Sequence, residues 1–91
     1  MPVNIYKEET IENLAWLCND IWDLPIQILE LEKWLEANKR MISPSKYIAD
    51  IGFTIKKDAG GGGSTFSLNS MKIMAELGID LYLSEYGCDE N

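Results

Sequence analysis

The sequence predicts an α+β domain: two N-terminal helices packed on a small mixed sheet, with a strand-loop-helix-strand unit at the C-terminal end. Three observations carry this expectation. Apolar residues recur at spacings of three and four through positions 10–38 and then alternate with other residues over 47–55 and 79–86. The run KKDAGGGGS at 56–64 separates the two alternating segments, and four consecutive glycines cannot be held in a helix or strand without a large entropic cost. The phrase LNSMKIMAELG at 68–78 carries both a start and a stop signal for a short helix.

Taken in order, PVNIY at 2–6 is short and apolar and reads as an edge strand. From Thr10, a plausible N-cap, the residues Ile11, Leu14, Ala15, Cys18, Ile21 and Trp22 form one stripe of an amphipathic helix that runs to about Asp23. Asp23 and Pro25 then punctuate the chain, because proline breaks an ongoing helix yet suits the first turn of the next. The second helix has the stripe Leu24, Ile28, Leu31 and Leu35, with Glu30, Glu32, Lys33 and Glu36 on its wet side, and frays near Asn38 to Arg40. SPS at 43–45 ends the helical half.

In YIADIGFTI, Tyr47, Ala49, Ile51, Phe53 and Ile55 share one strand face, and Ile48, Asp50, Gly52 and Thr54 the other. The glycine-rich stretch at 58–64 is a loop or linker, natural or engineered, since Gly60 to Ser64 spell a common synthetic linker. With Asn69 as N-cap, Leu68 and Ile73 would clamp the entry of the short helix, and Gly78 would terminate it in a left-handed conformation. Ile79, Leu81 and Leu83 then form the greasy face of a last strand, sealed by the preceding helices, with Asp80, Tyr82, Ser84 and Tyr86 opposite. The crossover can lay the two strands parallel. An extra strand at STFS, 64–67, would instead make the pairing antiparallel, and the sequence does not choose.

Ninety-one residues make a single domain, 1–91, and an apolar share of 46% supplies a packed core. Fifteen acidic residues against eight basic ones give a net charge of -7, which repels phosphate backbones: no nucleic acid is expected, and a basic protein partner is. The charge is segregated, with net -6 over 1–36, +4 over 37–57 and -5 over the remainder. Histidine is absent, and the two cysteines, Cys18 and Cys88, make neither a disulfide framework nor a metal-ligand spacing. Cys88, beside Asp89 and Glu90, should hold an unreactive thiol. No segment approaches membrane-spanning length, and the natural reading is a cytoplasmic protein without membrane partner or cofactor.

The residues Phe66, Leu68, Asn69, Leu77, Gly78, Ile79, Leu81 and Tyr86, in the frame FSLN followed by ELGIDLYLSEY, resemble a family of small bacterial domains of unknown function, the one numbered 4279. The resemblance covers about residues 24–87. It implies a helix, strand, loop, short helix and strand in that order, and no activity.

Candidate sites compete with plainer readings. The glycines at 60–63 precede a helix, as in phosphate-cradling loops, but no GxxxxGK[ST] pattern is present and a flexible connection accounts for them. Trp16 lies about 140° from the stripe of the first expected helix, so it is either a solvent-facing interface anchor or core under a second layer. Trp34 flanks the stripe of the second helix and reads the same way, with core favoured. Asp80 and Glu85 would make an acid-base pair, yet they fall on opposite strand faces.

The expected function is therefore a small acidic protein-binding module, of the immunity-protein or inhibitor kind, that masks a basic partner through Trp16, Glu12, Asp20, Asp23 and Trp34. The alternative is a structural domain that forms a homodimer by pairing strand edges. A carboxylate-based enzyme comes last, and the expectation is that the chain is not an enzyme.

Overall fold

The computed structural model describes residues 3–10, 12–18, 20–54 and 64–86. The expected roles of the glycine loop at 60–63, of Ile11 and Ile55 and of the Cys88 thiol lie outside them. The elements run β1 (Val3–Lys7), β2 (Glu12–Leu17), α1 (Leu24–Asn38), β3 (Tyr47–Thr54), α2 (Leu68–Leu77) and β4 (Ile79–Tyr86). The sheet is mixed, in the order β2-β1-β3-β4, antiparallel at its first two junctions and parallel between β3 and β4. The class is α+β as expected, but one helix, not two, precedes β3.

The segment expected to be the first helix is a strand. β2 pairs with β1, with Leu17 opposite Val3 and Ala15 opposite Ile5, and the register then slips so that Tyr6 faces Asn13. Leu14 is the surplus residue of a β-bulge. The slip brings Leu14, Ala15, Leu17 and Cys18 all against the core. Apolar pairs at 14/15 and 17/18 therefore imitate a helical stripe, and pairing with β1 overrides it. β1 is in turn no edge strand: β2 and β3 flank it on both sides.

Helix α1 matches its sequence signals. Pro25 occupies its first turn, Asp23 is the N-cap residue, and Ile28, Leu31 and Leu35 are buried with Leu24 packed beside them. Gln27 is fully buried at its start and donates from Nε2 to the carbonyls of Ile21 (2.9 Å) and Gly52 (2.6 Å), tying the helix entry to the end of β3. Thr54 N–H also donates to the Trp22 carbonyl at 3.3 Å.

Helix α2 begins two residues earlier than expected. Ser67, not Asn69, is the N-cap: its backbone is extended and its Oγ accepts from Ser70 N at 3.1 Å. Leu68, at 79% exposure, consequently makes no staple with buried Ile73. The helix start is held from outside by α1. Glu32 Oε2 accepts the Ser67 N–H at 2.7 Å and Glu36 Oε1 accepts from Asn69 Nδ2 at 3.2 Å, so two of the side chains expected on the wet side of α1 serve the positive end of α2.

That contact has a pH signature. The Ser67 N–H bond holds the Glu32 carboxyl below its ordinary 4.5, so its stabilisation is present above that value and lost as pH falls through the depressed folded value. Urea midpoints measured from pH 6 down to 2 should fall more steeply for the native chain than for Glu32→Gln. Parallel curves would remove the assignment.

Gly78 ends α2 in the left-handed region at φ 87, its N–H donating to Met74 O at 2.8 Å, as the sequence predicts. Residues 64–67 form no strand, and β4 runs parallel to β3 with Tyr47 opposite Ile79 and Thr54 opposite Tyr86. The core joins Val3 and Ile5, Tyr47, Ala49 and Ile51, and Ile79 from the sheet to Ile28, Leu31 and Leu35 of α1 and Ile73, Met74 and Leu77 of α2. Both helices thus cover one sheet face.

The seal over β4 is incomplete, contrary to expectation. Exposure climbs along the strand from 6% at Ile79 to 38% at Leu81 and 53% at Leu83. A ten-residue helix is about 15 Å long and an eight-residue strand about 26 Å. The cover thins towards the strand's far end, and among the described residues β4 has a neighbouring strand on one side only.

Candidate functional site

The period of a strand assigns every residue whose neighbours face the helices to the second sheet surface. On that surface Trp16 of β2, Asn4 of β1, Asp50 of β3 and Tyr82 of β4 stand in one cross-strand row, each opposite the next. An adjacent row holds Tyr6, Ile48 and Asp80. Trp16 is 47% exposed, Tyr82 60% and Tyr86 50%. Tyr86 meets Trp22 edge to face, with ring centroids 5.3 Å apart, at the rim of the same surface.

This face is aromatic and acidic. Its ionised groups are the carboxylates of Asp50 and Asp80, and no lysine or arginine occupies the corresponding positions of the four described strands. Asp50 Oδ1 accepts from Ser84 Oγ at 2.8 Å, which fixes one carboxylate beside the Tyr82 ring. Asn4 Oδ1, between Trp16 and Asp50, is shielded from solvent and has no hydrogen-bond partner. Aromatic faces and carboxylates held in one plane suit a guanidinium or ammonium group, which gains ring and charge contacts together.

The five residues expected to form the interface do not share it. Trp16 stands on the open face. Glu12 is exposed at the far end of β2, opposite Lys7. Asp20 is exposed in the turn before α1, and Asp23 occupies the N-cap position of that helix without a side-chain capping bond. Trp34 lies on α1, half-buried against the core, on the other side of the sheet from Trp16. Asp80 and Glu85 do face opposite ways, Asp80 beside Ile48 and Glu85 beside Phe53. Asp50, Tyr82 and Tyr86 were not among the expected residues. The alternation of β3 and β4 places all three on one surface once the strands are known to be parallel neighbours.

Elsewhere, the helical layer carries shallow concavities. A notch of about 340 Å³ is lined by Lys39, Arg40, Lys72, Asn69 and Glu76. One of its cations is engaged, since Lys39 Nζ sits 2.9 Å from Glu36 and holds that carboxyl below its usual range. A groove of about 480 Å³ between α2 and β4 is apolar, lined by Phe66, Met71, Met74, Ala75 and Leu81. Cys18 adopts a positive φ of 54°, and burial followed by the charge of Glu30 raises its thiol, leaving it protonated. Among the described residues no group of His, Cys, Asp or Glu could hold a metal ion, and no helix is long and apolar enough to cross a membrane.

No family model, no curated protein and no solved structure matches the chain.

Proposed function

We propose that the chain is a protein-binding module that takes a basic partner on the uncovered face of its sheet, in the manner of an inhibitor or immunity protein. The observation that carries this reading is the row Trp16, Asp50 and Tyr82, exposed aromatics around a fixed carboxylate with no cation of its own among the described residues. The net charge of -7 supplies long-range attraction and the rings supply the anchors. The two carboxyls held below their usual range, Glu32 and Glu36, are engaged in holding α2 and bonding Lys39, on the helical layer away from this face.

An arginine-rich peptide of about 15 residues is a direct probe. It should shift backbone amide signals of β2, β3 and β4 at low salt, and lose affinity as salt rises. Trp16→Ala and Tyr82→Ala should each weaken binding about two- to fivefold, the worth of an exposed cation-ring contact. Shifts confined to the helical layer, or unchanged affinity in both variants, would refute the reading.

A further inference from the structure

The open face holds one group that the proposed function leaves unused. Asn4 is half-buried, yet its Oδ1 is shielded from solvent and has no hydrogen-bond partner among the described residues. A buried acceptor without a donor costs free energy and asks for a cause. Its cross-strand neighbours are Trp16 on one side and Asp50 on the other, and Tyr82 follows Asp50. The row therefore runs ring, amide, carboxylate, ring over adjacent strands, about 14 Å from the first to the last. Short side chains in the middle and tall, exposed rings outside make a trough. On its floor Asp50 Oδ1 accepts from Ser84 Oγ at 2.8 Å, and Oδ2 has no hydrogen bond among the described residues.

We infer that this trough is a socket for one arginine side chain of the basic partner, and that Asn4 makes it prefer arginine to lysine. The socket rests on the proposed function, whose site it occupies, and names the group recognised there. Asp50 Oδ2 and Asn4 Oδ1 belong to directly opposed residues of an antiparallel pair, with Cβ atoms about 5 Å apart. A guanidinium is planar and carries its N–H groups in a fixed fork. One arm meets the carboxylate, the other meets the amide oxygen, and the plane is flanked by Trp16 and Tyr82. The terminal torsion of an asparagine is broad, which lets Oδ1 turn towards an arm entering from above. A lysine ammonium brings the same charge but is compact and more strongly hydrated. It must shed more water to reach a shielded acceptor, and it offers no plane to either ring. Asp80, in the next row, attracts both cations alike and does not choose between them.

Three peptides of equal charge and about 15 residues, with arginine, lysine or asymmetric dimethylarginine at every basic position, test this by fluorescence anisotropy at low salt. The arginine peptide should bind the native chain about tenfold tighter than the lysine peptide. Dimethylation keeps the charge and blocks the paired hydrogen bonds, so that peptide should fall to the lysine level. Asn4→Leu should narrow the preference to about threefold or less and, by removing an unpaired buried acceptor, hold or raise the urea midpoint. Should that variant fail to fold, the dimethylated peptide on the native chain carries the test alone. Equal affinity for the three peptides overturns the socket while the proposed function survives, because all three still bind the face. A preference that persists in folded Asn4→Leu overturns the part given to Asn4, and so does a lowered midpoint, which would make the amide structural. If no peptide binds, the proposed function falls and takes the socket with it.

Discussion

Gly78→Ala should lower the unfolding free energy by about 3 kcal/mol or more, a large part of the 5–15 kcal/mol typical of a small domain. Two independent causes add at this position. A φ of 87° costs alanine about 1–2 kcal/mol in a left-handed conformation. A Cβ built there would also stand 2.0 Å from the carbonyl oxygen of Ser45, a backbone atom with little freedom to retreat. Ser45 N donates to Leu77 O and Tyr47 N to Gly78 O, both at 3.0 Å, so the two segments are clamped together where parallel β3 and β4 start. Asparagine tolerates the left-handed region and separates the causes. Urea unfolding should find Gly78→Asn nearly as damaged as Gly78→Ala; a loss under 1 kcal/mol in either would mean that the approach of Ser45 is not limiting.

Leu31→Ala should cost about 3 kcal/mol, within the range for deleting a fully buried leucine. Leu31 is inaccessible to solvent, at the centre of the α1 stripe that joins both sheet and α2. Leu29, two residues away on the same helix, is 51% exposed. Leu29→Ala should stay within about 0.5 kcal/mol of the native chain. Comparable losses in the two variants, measured by denaturant midpoints, would show that the helix faces are assigned wrongly.

Five of the six elements were legible in type, β1 from its short apolar run and the other four because each had one period and explicit punctuation. Pro25 opens α1, SPS closes the stretch after it, Gly78 stops α2, and Tyr47, Ala49 and Ile51 keep strict alternation into the core. β2 was not legible, since a bulge at Leu14 changes the strand's phase and two adjacent apolar pairs then look like a helical face. The cap of α2 was misread for a similar reason. Ser67 and Asn69 are both good capping residues, and the choice between them is made by Glu32, which is 35 positions away in sequence. The open face was half legible: Trp16 was singled out for exposure from a helical geometry that does not exist, while Asp50, Tyr82 and Tyr86 required the strand order. The exposure of Leu83 could not be read from hydropathy at all, because a leucine on the inward side of a strand looks buried until the length of the covering helix is known.

The kink at Leu14 has one more effect, on how far assembly can run. β2 is the other outermost strand, and there the ladder is crooked and Glu12, Asn13 and Trp16 project into water. A monomer with two straight rims could add copies without end and grow into a fibre. The irregular rim at β2 breaks any such continuous ladder, and deleting Leu14 would straighten it and expose a second template for pairing.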